Sequence, residues 1–365
     1  MPAFAAAPLE PPLSDPANFA TRLLAWHRIA GRHDLPWQGG CDPYRIWLSE
    51  IMLQQTQVDT VIPYYQRFLD RCPDLASLAA APVEDVLGLW SGLGYYARAR
   101  NLHRCAQVLV AEHGGRFPQA PEALAGLPGI GRSTAAAIAA FAFGVRAAIL
   151  DGNVKRVLCR VFGIEGDPGH RAVEMRLWRL AESLLPASEI GSYIQAQMDL
   201  GATLCTRGLP ACGRCPLAEI CVARREGLQA SLPTPRARKL RPRRSSRVAV
   251  LCHAGAVLLQ RRPLVGLWGG LLTLPEIPAD ELSVTWAART LGLSVSPGPQ
   301  LPPVDHAFTH FQLQILPELL SLTAQLPQPG VPPGGEFAWQ PLADLGPAAL
   351  PAPVRRILKN LPGRA

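Results

Sequence analysis

Cys205, Cys212, Cys215 and Cys221 stand in the spacing C-x6-C-x2-C-x5-C, in a stretch punctuated by Gly208, Pro210, Gly213 and Pro216. This stretch lacks the periodic apolar face of a helix or strand, so hydrophobic packing alone cannot organise it. Four thiolates this close in sequence are the pattern of a metal site. Cys41, Cys72, Cys105, Cys159 and Cys252 are scattered by comparison. The Pro-rich start of the chain lacks a basic region followed by an apolar stretch, which predicts a reducing, cytoplasmic setting where clustered thiols hold metal rather than disulfides. Four thiolates suit zinc or a 4Fe-4S cluster; the tight pairing usual for zinc occurs only at Cys212 and Cys215, which leans toward iron. Electron transfer and nucleic-acid binding both stay open, because Arg207, Arg214, Arg224 and Arg225 could face an anion.

Upstream of the cysteines, from about residue 19 to 222, apolar residues recur at helical period. Asp42 and Pro43 offer an N-cap and an N1 proline for a helix over 44–57, and 82–90, 97–113, 132–143 and 154–162 read as further helices. Between 232 and 247 the composition turns to proline and arginine, the mark of a linker. Beyond it, 247–260 and 308–316 alternate like strands around a turn-like 266–270. The expected layout is an N-terminal extension (1–18), an all-α domain (19–231), a basic linker (232–247) and a smaller α+β domain (248–365). The net charge of +8 is almost wholly arginine, since Lys155, Lys239 and Lys359 are the only lysines. Such an excess favours polyanionic partners, although an Arg-, Ala- and Pro-rich chain also reflects a GC-rich genome. No apolar run reaches the ~20 residues of a membrane-spanning helix.

Leu127-Pro128-Gly129-Ile130-Gly131 lies between two helical patterns and is followed by Arg132, Ser133 and Thr134. Two glycines one residue apart permit a tight turn with outward N–H groups, which at a helix start fits a phosphate. Asp151-Gly152-Asn153 opens the helix over 154–162, whose Val154, Val157, Leu158, Val161 and Phe162 share a face, leaving Lys155, Arg156 and Arg160 on the other. One of Asp151 and Asn153 is accounted for as a cap, with the other free to serve a site.

Asp151 after the glycine hairpin, followed by the four-cysteine loop, resembles the helix-hairpin-helix Gly/Pro-Asp superfamily of DNA base-excision glycosylases, which includes endonuclease III. The run Ser49-Glu50-Ile51-Met52-Leu53-Gln54-Gln55-Thr56-Gln57-Val58 narrows the resemblance to the MutY-type adenine DNA glycosylases. Leu35-Pro36-Trp37, Gly92-Leu93-Gly94-Tyr95-Tyr96, the run 150–157 and Phe308-Thr309-His310-Phe311 agree with that family in order. The resemblance extends over about residues 19–360.

The resemblance implies a 4Fe-4S cluster on the four cysteines and hydrolysis of the adenine–deoxyribose bond opposite 8-oxoguanine or guanine in duplex DNA. Glu50, near Trp37 and Leu35 in an adenine pocket, would protonate the departing base. Asp151, kept ionised by a helix N-terminus, would face the oxocarbenium-like sugar, with Asn153 beside it. Related glycosylases that also nick the strand use a lysine just after the hairpin; Ser133 stands there, so a monofunctional enzyme is expected, with Lys155 a phosphate contact or exposed residue. Gly129, Gly131 and Ser133 would approach phosphate. Gln55, Leu93 and Tyr95 resemble contacts to the opposite guanine or to the gap, Tyr95 as the wedge. The C-terminal domain resembles a Nudix fold, with Gly270 and Glu276 at its opening spacing. Residues 284–289 lack the carboxylates that bind magnesium, so phosphohydrolysis is not expected, and Phe308, Thr309 and His310 match the loop that senses oxidised guanine. The rivals are a pyrimidine-excising glycosylase/lyase, a noncatalytic redox or DNA-sensing module, and a nucleotide phosphohydrolase. A monomer is expected.

Overall fold

The computed structural model describes residues 16–236, 240–323, 336–346 and 348–362. The N-terminal extension up to residue 15, and Arg238 and Lys239 of the linker, lie outside the described residues. The chain divides into two compact units: Met1–Gln54 with Ala111–Ala237, and Gln55–Val110 with Arg238–Ala365.

In the first unit, α1 (Pro16–Ala30) and α2 (Pro43–Leu53) belong with the later helices, whereas α3 (Val58–Arg71), α4 (Leu75–Ala80), α5 (Val83–Leu89) and α6 (Ala97–His113) belong to the second. The first unit then continues through α7 (Pro121–Ala125), α8 (Arg132–Phe143), α9 (Gly152–Phe162), α10 (Arg171–Ser183), α11 (Ile190–Asp199) and α12 (Val222–Glu226). Asp42 caps α2 through the Tyr44 N–H at 2.9 Å, as the sequence predicts. The helix stops at Leu53 rather than continuing to 57, because Gln55 adopts φ +57° and breaks the ladder. The helices expected over 97–113 and 132–143 are both present with those ends. One core of this unit packs Leu23, Leu158, Leu177, Tyr193 and Ile194 from α1 and α9–α11, all removed from water.

The second unit holds eight described strands: β1 (Arg243–His253), β2 (Ala256–Arg261), β3 (Leu272–Thr273), β4 (Glu276–Ile277), β5 (Val295–Gln300), β6 (Val304–Ala307), β7 (Gln312–Leu322) and β8 (Phe337–Pro341). The sheet runs β3-β2-β1-β7-β5; β4 also pairs with β1, β6 with β7 and β8 with β2. The central pair β1 and β7 is parallel from Arg243–Gln312 to Leu251–Leu320. Val248 and Val250 face one core with Val354 and Ile357 of α14 (Ala352–Lys359), while Ala249 and Leu251 face another with Trp286 of α13 (Ser283–Trp286). Two covered faces explain why β1 is apolar at consecutive positions in its buried part.

Two boundaries differ from the sequence reading. Arg243 to Arg247 belong to β1 rather than to a tether: Arg247 Nε reaches Glu318 Oε1 at 2.6 Å and Arg244 lies 4.7 Å above the Phe311 ring. The segment Gln55–Val110, expected with the other helices, packs with the sheet. Tyr96 donates its hydroxyl to Leu350 O at 3.2 Å, Arg100 reaches Gly269 O at 2.8 Å, and Arg355 Nη2 meets Ser91 Oγ at 3.0 Å. Among the described residues no helix is long and apolar enough to cross a membrane.

Candidate active site

A pocket opens in the first unit between α2, α11 and the loop that follows α1, lined by Glu50, Trp37, His27, Ser49, Ser192 and Gln195 among others. Helix α2 presents Ile46, Trp47, Leu48, Ile51 and Met52 to protein, so Glu50 emerges from an apolar helix beside an aromatic wall. Burial, reinforced by the charge of Asp151, pushes the Glu50 carboxyl up to about 8. Trp37 joins Glu50 in this pocket, but Leu35 does not. Leu35 is buried, and its N–H and carbonyl bond the side chain and backbone of Gln38, so it shapes the loop.

Asp151 is itself the N-cap of α9, accepting the Val154 N–H at 2.8 Å. Burial dominates its titration and moves its carboxyl upward too; the N–H groups of Val154 and Asn153 and the cations Arg156 and Lys155 oppose that shift. The expectation that a helix N-terminus alone holds Asp151 in the ordinary range is therefore corrected: desolvation outweighs it. Asn153 is the residue left over by the cap, yet its Oδ1 is taken by Arg156 Nη2 at 2.7 Å. A Cβ on Gly201 would come within 2.5 Å of Asn153 Cβ, so Asn153 is pinned between α9 and the π-helical turn Leu200–Leu204.

Other expected site residues are anchored differently. Ser133 Oγ accepts the Leu150 N–H at 3.0 Å, tying α8 to the segment that delivers Asp151. Lys155 is ion-paired with Glu174 at 2.6 Å and is not an exposed residue. Gly129 takes φ +78° and needs to be glycine, whereas Gly131, the N-cap of α8, has φ −88° with open space where a Cβ would be. Gln55 (φ +57°) and Tyr95 (φ +49°) are exposed, Tyr95 at 54%, while Leu93 is buried. Phe308, Thr309 and His310 form the tip of the β6–β7 hairpin; Thr309 and His310 are exposed and Phe308 stacks on Phe311 at 4.6 Å.

The four clustered cysteines line a second pocket with Val157, Leu204 and Arg160. Among the described residues, no three His, Cys, Asp or Glu side chains gather tightly enough to hold one metal ion. Arg156 and Arg160, read from periodicity as an outward face, are 8% and 3% exposed. They clamp the cysteine segment onto α9: Arg156 donates to Gly201 O and Cys205 O, and Arg160 to Thr206 O, Leu232 O and Cys205 Sγ. Their partners are mostly backbone carbonyls of a loop that no periodic pattern reveals.

Sequence reasoning missed His27, Ser192 and Gln195 in the pocket. Gln195 Nε2 donates to Asp199 at 2.9 Å, and Asp199, wholly buried, also accepts the backbone N–H and guanidinium of Arg32. His27 Nε2 lies 3.6 Å from the same carboxylate, yet burial outweighs Asp199 and pushes the imidazole down. The signal was present as Gln195, Gln197 and Asp199 in an otherwise apolar helix.

The family described as HhH-GPD superfamily base excision DNA repair protein matches residues 48–183, and the NUDIX domain family matches residues 247–360. The chain is 36% identical to the adenine DNA glycosylase of Buchnera aphidicola subsp. Acyrthosiphon pisum (strain APS), covering 94% of this chain and 97% of that one. It is 36% identical to the adenine DNA glycosylase of Homo sapiens, covering 95% of this chain and 74% of that one. Among solved structures it resembles a thermostable thymine-DNA glycosylase, with 30% identity, a TM-score of 0.53, and coverage of 57% of this chain and 95% of that one. Likeness along nearly the whole chain, through the Glu50 pocket and the sheet alike, makes this protein a member of the adenine DNA glycosylase family.

Proposed function

We propose that this protein removes adenine from duplex DNA by hydrolysis, acting on adenine opposite 8-oxoguanine or guanine, and that it leaves the strand intact. The observation that carries this reading is the Glu50 carboxyl, pushed up to about 8 inside a pocket walled by Trp37. At neutral pH it holds a proton for the departing base, and transfer of that proton as the bond between sugar and base breaks leaves the electron pair on adenine. Asp151 would bear the negative charge opposite the cationic sugar; burial raises its carboxyl, and two N–H groups and two cations limit that rise. Water completes the sugar and releases a proton. The segment 149–151, fixed through Ser133, sets where Asp151 stands.

Among the described residues, the one lysine of the helical domain offers no free amine for a lyase step. Lys155 is held by Glu174, and Ser133 spends its hydroxyl oxygen on Leu150. The four cysteines line one pocket, and their spacing, with only Cys212 and Cys215 as a tight pair, suits a 4Fe-4S cluster better than zinc. Cys205, Cys212, Cys215 and Cys221 would hold the cluster, which supplies structural cross-linking of the loop and one-electron chemistry. Reading of the opposite base falls to the exposed Tyr95, Gln55, Thr309 and His310. The Nudix-like domain serves recognition: its Glu276 is occupied by Arg262 at 3.2 Å.

The test is a single-turnover assay on duplex DNA with adenine opposite 8-oxoguanine, scoring strand breaks with and without hot alkali. Breaks only after alkali, lost in Glu50→Gln, are expected. Breaks without alkali would overturn the monofunctional reading, and intact adenine in the presence of cluster-loaded protein would overturn the substrate.

A further inference from the structure

The turn that carries Tyr95 and the hairpin that carries Thr309 belong to the same compact unit, and a continuous line of contacts joins them. At the Tyr95 end, Arg98 Nη2 donates to Leu93 O and Gly94 O, and the Tyr96 hydroxyl receives the Gly92 N–H at 3.2 Å. Arg100, on the first turn of α6, then sends Nη1 to Gly269 O. The next residue lies flat against α5, since a Cβ on Gly270 would approach Leu87 Cδ1 to 2.8 Å. On the other side of Gly269 stands Trp268. Its ring centroid is 5.6 Å from Phe308 and 6.1 Å from His306, and Phe308 closes the hairpin tip by donating its N–H to Phe311 O at 2.9 Å.

Trp268 makes these contacts from φ +54°, a conformation that glycine adopts freely and a bulky side chain adopts only when its surroundings hold it there. Its neighbours Gly266, Gly269 and Gly270 show that the loop has glycine where the path demands it. A large indole kept at a left-handed position therefore answers to something other than the path of the chain. What it does is span the distance between the loop and the hairpin tip.

We propose that the 262–270 loop is a strut between the hairpin tip and the Tyr95 turn, with Trp268 and Arg100 as its positioning residues. A displacement of the tip by the base it meets is passed through the Trp268 ring to Gly269, and through Arg100 to the start of α6. This rests on the proposed reading that both ends touch DNA, and it adds that they do so as one body. The link is packing and hydrogen bonding between rigid pieces, and so is open to direct disruption.

The test follows amide hydrogen exchange in the free, full-length, cluster-loaded protein at Gly92 and Leu93, whose N–H groups are bonded to Tyr96 Oη and Trp90 O. Trp268→Gly removes the ring and relieves the backbone at φ +54°, which offsets part of the packing lost with the indole. Trp268→Gly and Arg100→Ala are each expected to speed exchange at these two amides about tenfold, with the double variant within about twofold of either single, as for two links of one chain. Trp268→Phe is expected to retain protection. Faster exchange confined to 308–311, or additive effects of the two substitutions, overturns the strut. A second arm compares single-turnover rates with 8-oxoguanine or guanine opposite adenine. The variants are expected to lose about tenfold of the preference while the guanine rate stays within about twofold. Equal loss on both duplexes overturns the proposal. A wild-type protein without preference would sink the opposite-base reading alone, and the exchange arm would then decide the strut.

Discussion

Around Glu50 and Asp151 the functional atoms are withdrawn from water and tied down: Asp151 by Val154, Asn153 by Arg156, Ser133 by Leu150. At Gln55, Tyr95, Thr309 and His310 the side chains proposed to read the opposite base stand in solvent, two of them on left-handed backbone. The contrast follows from what each region is proposed to do. A carboxyl becomes an acid at neutral pH only where desolvation penalises its charge, so the chemistry must be enclosed. A group that reads a partner must be presented before the partner arrives, so recognition lies on tips and turns, and their cost is backbone strain rather than desolvation.

The sharpest way to break this comparison is Glu50→Gln, which is expected to slow adenine release about a thousandfold in single-turnover kinetics. The same substitution should change stability with a definite sign. In the folded protein Glu50 keeps its proton up to about pH 8, whereas unfolded it ionises near 4.5 like an ordinary glutamate, so wild-type stability falls as pH rises between these values. Urea titrations of Glu50→Gln should show a gain of a few kcal/mol at pH 9 and none at pH 4; a gain independent of pH would mean that Glu50 is not a desolvated acid. Wild-type activity should likewise decline above about pH 8 as that proton is lost.

Asp151→Asn separates charge from capping. Asparagine also caps and carries no desolvated charge, so the expected loss is about a hundredfold in rate with a melting temperature at neutral pH that does not fall, while Asp151→Ala costs about 1 kcal/mol relative to Asp151→Asn. Arg160→Leu leaves loop carbonyls without donors and is expected to lower urea stability by about 2–4 kcal/mol. On the exposed side, Tyr95→Ala should slow excision about tenfold yet leave stability within ~0.5 kcal/mol, as measured by thermal unfolding. The smallest effect is Gln55→Gly, expected to stabilise by about 0.5 kcal/mol because glycine accepts φ +57°. A loss instead would show that Gln55 is held by contacts, and would erase the contrast between the regions.

Much of this arrangement was legible in the sequence. The helices over 97–113 and 132–143 end at Gly114 and Gly144, both at positive φ, and glycine is a readable stop. The overrun of α2 had no such sign, since Gln54 and Gln55 carry no turn signal although Gln55 is bent into the left-handed region. Arg156 and Arg160 were misread for a deeper reason. Periodicity assigns arginine to solvent, and only a loop that returns with unpaired carbonyls makes a buried guanidinium favourable. The grouping of Gln55–Val110 with the sheet is a tertiary choice, made by bonds such as Arg100 to Gly269 that join residues far apart in the chain.

The N-cap geometry of Asp151 has a consequence for how its variants are scored. One side chain both starts a helix and carries the charge proposed to face the sugar, and asparagine substitutes for the first role alone. A screen that scores only folding would pass such a variant. On the proposed reading it would keep the fold and lose the chemistry, so folding and adenine release must be scored separately.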